Sequence, residues 1–211
     1  MMNVKKFTFN PFQENTYIIY DESNECMIID PGCFDRNEEQ TVVDFVDRNE
    51  LRVVKLFNTH AHIDHILGNA FVKEKFNVDL YGCSSSFPML ELAKRSAMVY
   101  QIPYKTSPPI DVPLKEGDQL SFGNTLFEVL FVPGHAPDHL VLIHPKEKIM
   151  IGGDVLFKGS IGRTDLPGGE HDLLIRNIES KIFTLPDETI VYSGHGPETT
   201  VGKERDANPF F

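Results

Sequence analysis

The stretch H-A-H-I-D-H (60–65) constrains this chain more than any other, because it places three imidazoles and one carboxylate within six residues. His60 and His62 alternate, as expected at the end of a strand, and Asp64 and His65 follow where a helix would begin. So short a loop cannot bring all four groups to one ion, so the spacing indicates two ions side by side. Imidazole and carboxylate suit zinc, iron or manganese, and the lack of a nearby thiolate argues against a closed structural zinc site.

Three further candidate ligands each follow an apolar, strand-like run: His135 in FEVLFVPGH, Asp154 in KIMIGGD and His195 in TIVYSGH. Strands that end in such turns are expected to bring their ligands to one sheet edge. A hydrolase with two metal ions needs that arrangement, with the ions about 3.5–4 Å apart and a shared carboxylate and hydroxide. A histidine-rich turn that binds nothing is disfavoured because these partners recur downstream.

Length and charge narrow the classes of protein. The 211 residues suit one domain, 1–211, with a substantial core. The net charge of −11 disfavours nonspecific binding to nucleic acid or to an anionic membrane. No run approaches the roughly 18 apolar residues of a membrane span.

The N-terminus and the cysteines favour the cytoplasm. The opening MMNVKKFTF has no long apolar segment or small-residue cleavage site, so no secretory signal is expected. Cys26, Cys33 and Cys83 are odd in number and form no C-x-x-C pair, so free thiols are predicted.

The hydrophobic pattern predicts an α/β or α+β protein. A helix at 37–49 between strands at 26–30 and 51–57 predicts a parallel crossover. The proline-bearing segment 101–113 is expected to be a loop that either borders the site or merely connects. The tail after His195 is expected to be polar, with Phe210 and Phe211 packed against the body. The remaining predicted strands are 3–9, 16–20, 78–81, 119–122, 126–132, 139–144, 149–152 and 189–192, and the remaining helices are 63–76, 84–100 and 172–182.

The order T-H-x-H-x-D-H, P-G-H, G-D and S-G-H resembles the metallo-β-lactamase-fold superfamily. Within it, the segments GDVLFKGSIGRTDLPGG and GHGPETTVGKERDANPFF are similar to small, single-domain glyoxalase II-like hydrolases. The resemblance implies a four-layer αββα sandwich of two mixed sheets flanked by helices. This sequence departs from the family's usual P-G-H-T-P-G turn at Ala136 and Asp138. Aspartate tolerates a left-handed backbone less well than the glycine usual at that position.

The resemblance also implies roles for the ligands. His60, His62 and His135 would hold one ion, and Asp64, His65 and His195 the other. Asp154 would bridge both ions, and Asp64 would help to orient the bridging hydroxide, so Asp64 and Asp154 are the expected catalytic residues. Two divalent ions are expected, zinc first, with iron or manganese as alternatives.

Residues outside the ligand set have more than one interpretation. By resemblance, Arg163 or Lys158 would meet the glutathione part of a thioester, although Arg163 could equally tie its own loop to Asp165. Asp30 is either a turn cap or a support for the ligands. His139 is expected to be a packed or supporting histidine, His144 to lie in a surface turn and His171 to begin a helix.

The predicted function is hydrolysis of small thioesters such as S-lactoylglutathione by a metal-bridging hydroxide. One alternative is a persulfide dioxygenase with a single Fe(II) on His60, His135 and Asp154. Another is a non-catalytic metal-binding protein, which seven intact candidate ligands disfavour. A β-lactamase is less favoured because Asp154 stands where a cysteine would be expected, and an RNA nuclease because the chain is acidic.

Overall fold

The computed structural model describes residues 2–211 and contains two six-stranded sheets. In the first sheet, the first three strands pair antiparallel and the following strands join in parallel. Its strands, adjacent in chain order, are β1 (Asn3–Phe9), β2 (Glu14–Tyr20), β3 (Glu25–Ile29), β4 (Arg52–Phe57), β5 (Leu80–Cys83) and β6 (Val112–Leu114).

The second sheet is built mainly from the later half of the chain. It comprises β7 (Gln119–Phe122), β8 (Thr125–Phe131), β9 (Leu140–His144), β10 (Ile149–Gly153), β13 (Ile190–Ser193) and β14 (Thr199–Thr200). A small hairpin, β11 (Leu156–Phe157) and β12 (Ser160–Ile161), separates β10 from β13 along the chain. β10 and β13 pair in parallel, so their carboxyl ends lie at the same sheet edge.

Helices cover the sheets and connect them. They are α1 (Arg36–Arg48), α2 (Ile63–Ile66), α3 (Asn69–Phe76), α4 (Phe87–Tyr100), α5 (His171–Asn177) and α6 (Val201–Ala207). A π-helical turn, Ile178–Ile182, continues α5. Asp35 caps α1, because its carboxylate accepts the backbone N–H groups of Asn37 and Glu38. No helix within residues 2–211 is long and apolar enough to cross a bilayer.

The apolar side chains form three main layers of core. Between the sheets, residues such as Ile29 and Phe57 pack with Phe127 and Leu142. On the outer side of the first sheet lie Val42 and Val46 of α1 and Val72 of α3. On the outer side of the second sheet lie Leu174 of α5 and Val201 of α6. The predicted αββα sandwich is therefore confirmed.

Several predicted elements are confirmed with small shifts at their ends. β3, α1 and β4 form the expected crossover, and β3 and β4 are parallel. The predicted helix 63–76 is instead two helices, because a turn at Leu67 and Gly68 interrupts it. His171 begins α5 as expected. The ring of Phe211 packs on Phe183 with centroids 4.7 Å apart, as expected for the tail.

Other expectations were wrong. The segment 101–113 ends in a strand, β6, rather than being loop throughout. In the tail after His195, for which no element was predicted, β14 and α6 form, and Glu204 accepts hydrogen bonds from Asn208 and from the N–H of Gly159. His144 is buried at the end of β9 against Phe127 rather than in a surface turn, because its ring fills space beside an aromatic side chain.

Candidate metal centre

The seven candidate ligands lie beyond the ends of strands, five of them in turns and two, Asp64 and His65, in α2. The motif 60–65 follows β4 and runs into α2, and His135 follows β8. Asp154 directly follows β10, and His195 comes two residues after the end of β13. Gly194 allows this close approach, because a Cβ there would lie 2.1 Å from Oδ1 of Asp154. The two packed sheets therefore bring these ligands together at one edge of the sandwich.

The first group of ligands consists of His60, His62 and His135. Nδ1 of His62 lies 3.1 Å from Nε2 of His60 and 2.8 Å from Nε2 of His135. The three rings meet edge to face, with centroids 4.6 to 5.0 Å apart. Three nitrogens that converge in this way could hold one metal ion.

The second group consists of Asp64, His65 and His195. Oδ2 of Asp64 lies 3.2 Å from Nε2 of His195 and 3.7 Å from Nε2 of His65. The ligand atoms of this group all lie within 4.8 Å of one another, as in the first group. This group could hold a second ion.

Asp154 lies between the two groups. Its Oδ2 is 3.5 Å from Nε2 of His135 in the first group and 3.6 Å from Nε2 of His195 in the second. Its Oδ1 is 3.5 Å from Nε2 of His65. One carboxylate thus reaches both groups, as a bridging ligand must.

Hydrogen bonds outside the ligand groups orient three of the imidazoles, and Asp30 orients a fourth, that of His65. Nδ1–H of His135 donates to the carbonyl of Arg163 at 2.7 Å, and Nδ1–H of His195 to that of Gln13 at 3.2 Å. Nδ1 of His60 lies 2.9 Å from the Thr59 hydroxyl. A proton held on Nδ1 leaves the Nε2 lone pair free for a metal ion.

Asp30 supports both ligand groups through hydrogen bonds to Thr59 and His65. One oxygen accepts the backbone N–H of Thr59 at 2.8 Å, and the other accepts the Thr59 hydroxyl at 2.6 Å and Nδ1–H of His65 at 3.2 Å. Asp30 is therefore a support for the ligands as well as the end of a strand. Its own contacts with Thr59 make it a poor alternative ligand, although it lies near His60 and His65.

His139 supports Asp154. Its Nε2 accepts the backbone N–H of Asp154 at 3.0 Å, and its ring stacks on His60 with centroids 4.7 Å apart. It is fully buried. The structure thus matches the expectation of a supporting histidine.

The charges in the centre suit a cation. Burial is the main cause that lowers the pKa of His60, His135 and His62, the last to about 3, so these rings are neutral at pH 7. Burial by itself would raise the pKa of Asp154, but the nearby His65 and other imidazoles hold it well below its usual range. The carboxylate is therefore ionised.

Two buried atoms in the centre lack partners among residues 2–211. They are Nε2 of His65 and Oδ1 of Asp154. Burial by itself would lower the pKa of His65, but the carboxylates of Asp64 and Asp154 raise it, so without a cation His65 takes up a proton. A neutral His65 that keeps its proton on Nδ1 leaves the two atoms as acceptors 3.5 Å apart, with no donor between them. A bound cation would satisfy both, and the residues present therefore fit a divalent metal ion.

A cavity of about 420 Å³ opens over the ligands. His62, Asp64, Asp154 and His195 lie in its wall. The rest of the wall is mostly apolar and is formed by Phe12, Ile63, Leu92, Tyr100, Phe157, Ile161, Leu166 and Pro167. A small molecule that enters this cavity would reach the metal ligands directly.

The two candidate substrate residues have different surroundings. Arg163 lies in the cavity wall, and its Nε and Nη2 donate to the two oxygens of Asp165, each at 2.7 Å. Lys158 is exposed on the hairpin and does not line the cavity within the described chain. Tyr100 lines the cavity, whereas the hydroxyl of Tyr104 accepts the N–H of Ser107.

The departure at Asp138 has a different effect from the one expected. Asp138 does not have a left-handed backbone; among residues 132–139 the positive φ belongs to Gly134, at +137°. The Asp138 side chain is instead buried, and burial raises its pKa to about 6. Its oxygens lie near the Ser86 hydroxyl and the Ala61 amide but make no well-formed hydrogen bond within residues 2–211.

This fold is that of a known family. Residues 9–195 match the Metallo-beta-lactamase superfamily, and the chain belongs to it. The "Hydroxyacylglutathione hydrolase GloC" of Haemophilus influenzae is 34% identical over 99% of this chain and 98% of that protein. The family and this relative make the chain a metallo-hydrolase by descent, and the His and Asp groups imply divalent ions.

Two solved structures are similar throughout. The "BLEG-1 B3 metallo-beta-lactamase" is 37% identical with a TM-score of 0.90, covering 100% of this chain and 99% of the other. "TTHA1623 in a di-iron-bound form" is 35% identical with a TM-score of 0.88, covering 99% and 100%. The similar proteins include both a hydroxyacylglutathione hydrolase and a metallo-beta-lactamase, so the fold does not by itself define the substrate.

Sequence reasoning missed most of the cavity wall. Phe12 lies in the turn between β1 and β2, Leu92 in α4 and Phe157 in the hairpin. It also missed the carbonyl of Gln13 as the partner of His195. No local pattern marks these residues, because each reaches the site only through long-range packing.

Proposed function

We propose that this protein hydrolyses small thioesters, S-lactoylglutathione among them, with two divalent metal ions, zinc first and iron or manganese as alternatives. The observation that carries the proposal is the carboxylate of Asp154 between two groups of three ligands at the base of a cavity. The name of the 34% identical relative supports the substrate class.

Each ligand has a proposed role. His60, His62 and His135 would hold one ion, Asp64, His65 and His195 would hold the other, and Asp154 would bind both. When bound, such ions act as Lewis acids on a carbonyl oxygen and lower the pKa of water toward neutrality. The ligands line the base of the cavity, so ions held there would be accessible to a thioester carbonyl.

Other residues of the chain position the water and shape the cavity. Asp64 lies in the cavity wall, where its carboxylate can accept a hydrogen bond from the attacking water and orient it. The apolar wall around Ile63, Leu92 and Phe157 excludes bulk water, which strengthens the electrostatic interactions inside. Arg163 and Lys158 stay predictions for the contact with substrate, and Arg163 is the better candidate because it lines the cavity.

The test is hydrolysis of S-lactoylglutathione by protein whose bound metals have been counted. Turnover with two ions per chain supports the proposal. Asp154→Ala is expected to lower kcat/KM by more than about 100-fold, beyond the usual effect of residues that only support ligands. Asp79→Ala, at an exposed aspartate before β5, is the matched control. Full activity of Asp154→Ala would contradict the mechanism.

A second candidate is iron-dependent persulfide oxidation at His60, His135 and Asp154. The di-iron-bound neighbour supports testing iron, since its fold is close to this one. Oxygen uptake with glutathione persulfide, in protein that contains one iron and does not turn over thioesters, would favour this candidate. A β-lactam belongs in the same panel, and metal binding without turnover of any substrate would favour a non-catalytic role.

A further inference from the structure

The cavity wall carries one basic side chain among residues 2–211, and that side chain is already paired. Arg163 is the only Lys or Arg in the wall of this part of the chain. Its guanidinium meets Asp165 in a two-pronged ion pair, with both N–O distances 2.7 Å. This is the geometry in which an arginine binds a carboxylate of a ligand.

The ion pair is not the only contact that holds the loop. Backbone hydrogen bonds fix this segment at other points. The N–H of Gly162 donates to the carbonyl of Val155. The N–H groups of Gly169 and Glu170 donate to the carbonyls of Leu166 and Gly134. The carbonyl of Arg163 is held by His135. Since these bonds also hold the main chain on both sides, the Asp165 carboxylate can do more than anchor the loop.

Apart from Arg163, the described cavity wall has no other Lys or Arg that could bind an anion. Apart from the metal ligands, Ser96 and Ser160, the remaining wall is mostly apolar, and Lys158 lies outside it. The chain also carries a net charge of −11. The Arg163 and Asp165 side chains are both mostly exposed, at 60% and 68%, so they can exchange partners with molecules from solution.

We propose that Asp165 is a specificity-determining residue that occupies Arg163 as an internal carboxylate. It disfavours thioesters that place a carboxylate at this wall, and the cavity therefore prefers thioesters whose thiol part is neutral and apolar there. The inference rests on the proposed thioester hydrolysis and names the substrate class for the same site.

The test compares two ligands that differ only in charge. S-Methylglutathione, a thioether that cannot be hydrolysed, and its dimethyl ester share the same peptide, but the ester lacks both carboxylates. Calorimetry gives the affinity of each for the metal-loaded protein and its variants at physiological ionic strength. Hydrolysis of S-lactoylglutathione and of its dimethyl ester gives the matching kcat/KM ratio.

Asp165→Asn is expected to raise the affinity for the free acid relative to the dimethyl ester by roughly threefold or more, the scale of an exposed ion pair. The gain should appear in KM rather than kcat, because it concerns binding. In the double variant Arg163→Gln/Asp165→Asn the gain should vanish, whereas a general effect of the lost negative charge would persist. Both variants keep the Arg163 carbonyl that holds His135.

Three results would overturn the inference. An unchanged ratio in Asp165→Asn would make the ion pair merely structural. A gain that survives in the double variant would not act through Arg163. A ratio that changes instead in Arg95→Gln, a cation in the neighbouring groove beside Leu92 and Pro167, would move the anion contact there. Failure of the proposed function is separate, since it would abolish turnover of both thioesters while the binding ratios remain measurable.

Discussion

Nε2 of His139 accepts the backbone N–H of Asp154 at 3.0 Å, so a histidine outside the ligand groups fixes the main chain of the residue between them. The bond also requires that His139 be neutral there, which its burial ensures by lowering its pKa. Asp154 therefore reaches both ligand groups because its backbone, as well as its side chain, is held.

His139→Ala is expected to lower metal affinity by about 10–100-fold, as for other residues that support ligands. The Asp154 N–H would lose its acceptor, and the ring stacked on His60 would be lost. Metal content after dialysis against a graded chelator measures this. His144→Ala, at the buried histidine that ends the strand following His139, is the control. Equal metal loss in both variants would show only general destabilisation.

Asp30→Asn is expected to weaken the second ligand group more than the first. The variant keeps the side-chain volume and tolerates the left-handed backbone at φ +46°, but it lacks the negative charge that accepts Nδ1–H of His65. Stepwise metal titration should show one of two sites weakened by about 10-fold or more. Asp21 is a carboxylate outside the metal centre that accepts hydrogen bonds from the Thr125 hydroxyl and the Asn124 N–H. Asp21→Asn should therefore leave both sites unchanged.

Gly134→Ala is expected to destabilise the fold and to displace His135. Gly134 has φ +137°, and a Cβ there would lie 2.5 Å from the backbone of Leu174. The cost should exceed the roughly 1–3 kcal/mol of backbone strain alone. Gly117→Ala has φ +83° with nothing within 4 Å, so it should show the strain without the clash. Urea unfolding of both variants gives the comparison, and equal losses would contradict the clash.

Asp138→Asn is expected to stabilise the protein at pH 7 but not at pH 4. Burial raises the Asp138 pKa from 3.8 to about 6, so the folded state binds the proton more tightly than the unfolded state. The free energy of unfolding that this group contributes is therefore present below about pH 4 and is lost as pH rises through 6. At 1.36 kcal/mol per pKa unit, the loss is at most about 3 kcal/mol.

The Asp138 prediction is checked by unfolding both proteins in chelator at pH 4 and pH 7. Chelation removes the separate effect of metal release at low pH, since both proteins are then compared without metal. The difference between variant and parent should grow from pH 4 to pH 7. A difference that is constant with pH would mean that Asp138 does not titrate in this range.

The identity of the candidate ligands was available from the sequence alone. His60, His135 and His195 stand in short motifs after apolar runs, and the local pattern of β-rich segment, glycine and ligand is enough to predict that each lies at a strand end. The layered fold followed from the same patterns, because alternating strands and amphipathic helices have few ways to bury their apolar faces.

The tertiary structure decided which residues surround those ligands. Asp30 meets His65, and the carbonyl of Gln13 meets His195, across separations that no local pattern encodes. It also decided that Arg163 faces Asp165 while Lys158 points elsewhere. Strand periodicity determines which side of a sheet a residue faces, but contacts between distant turns depend on how two whole sheets pack, and only the folded chain determines that.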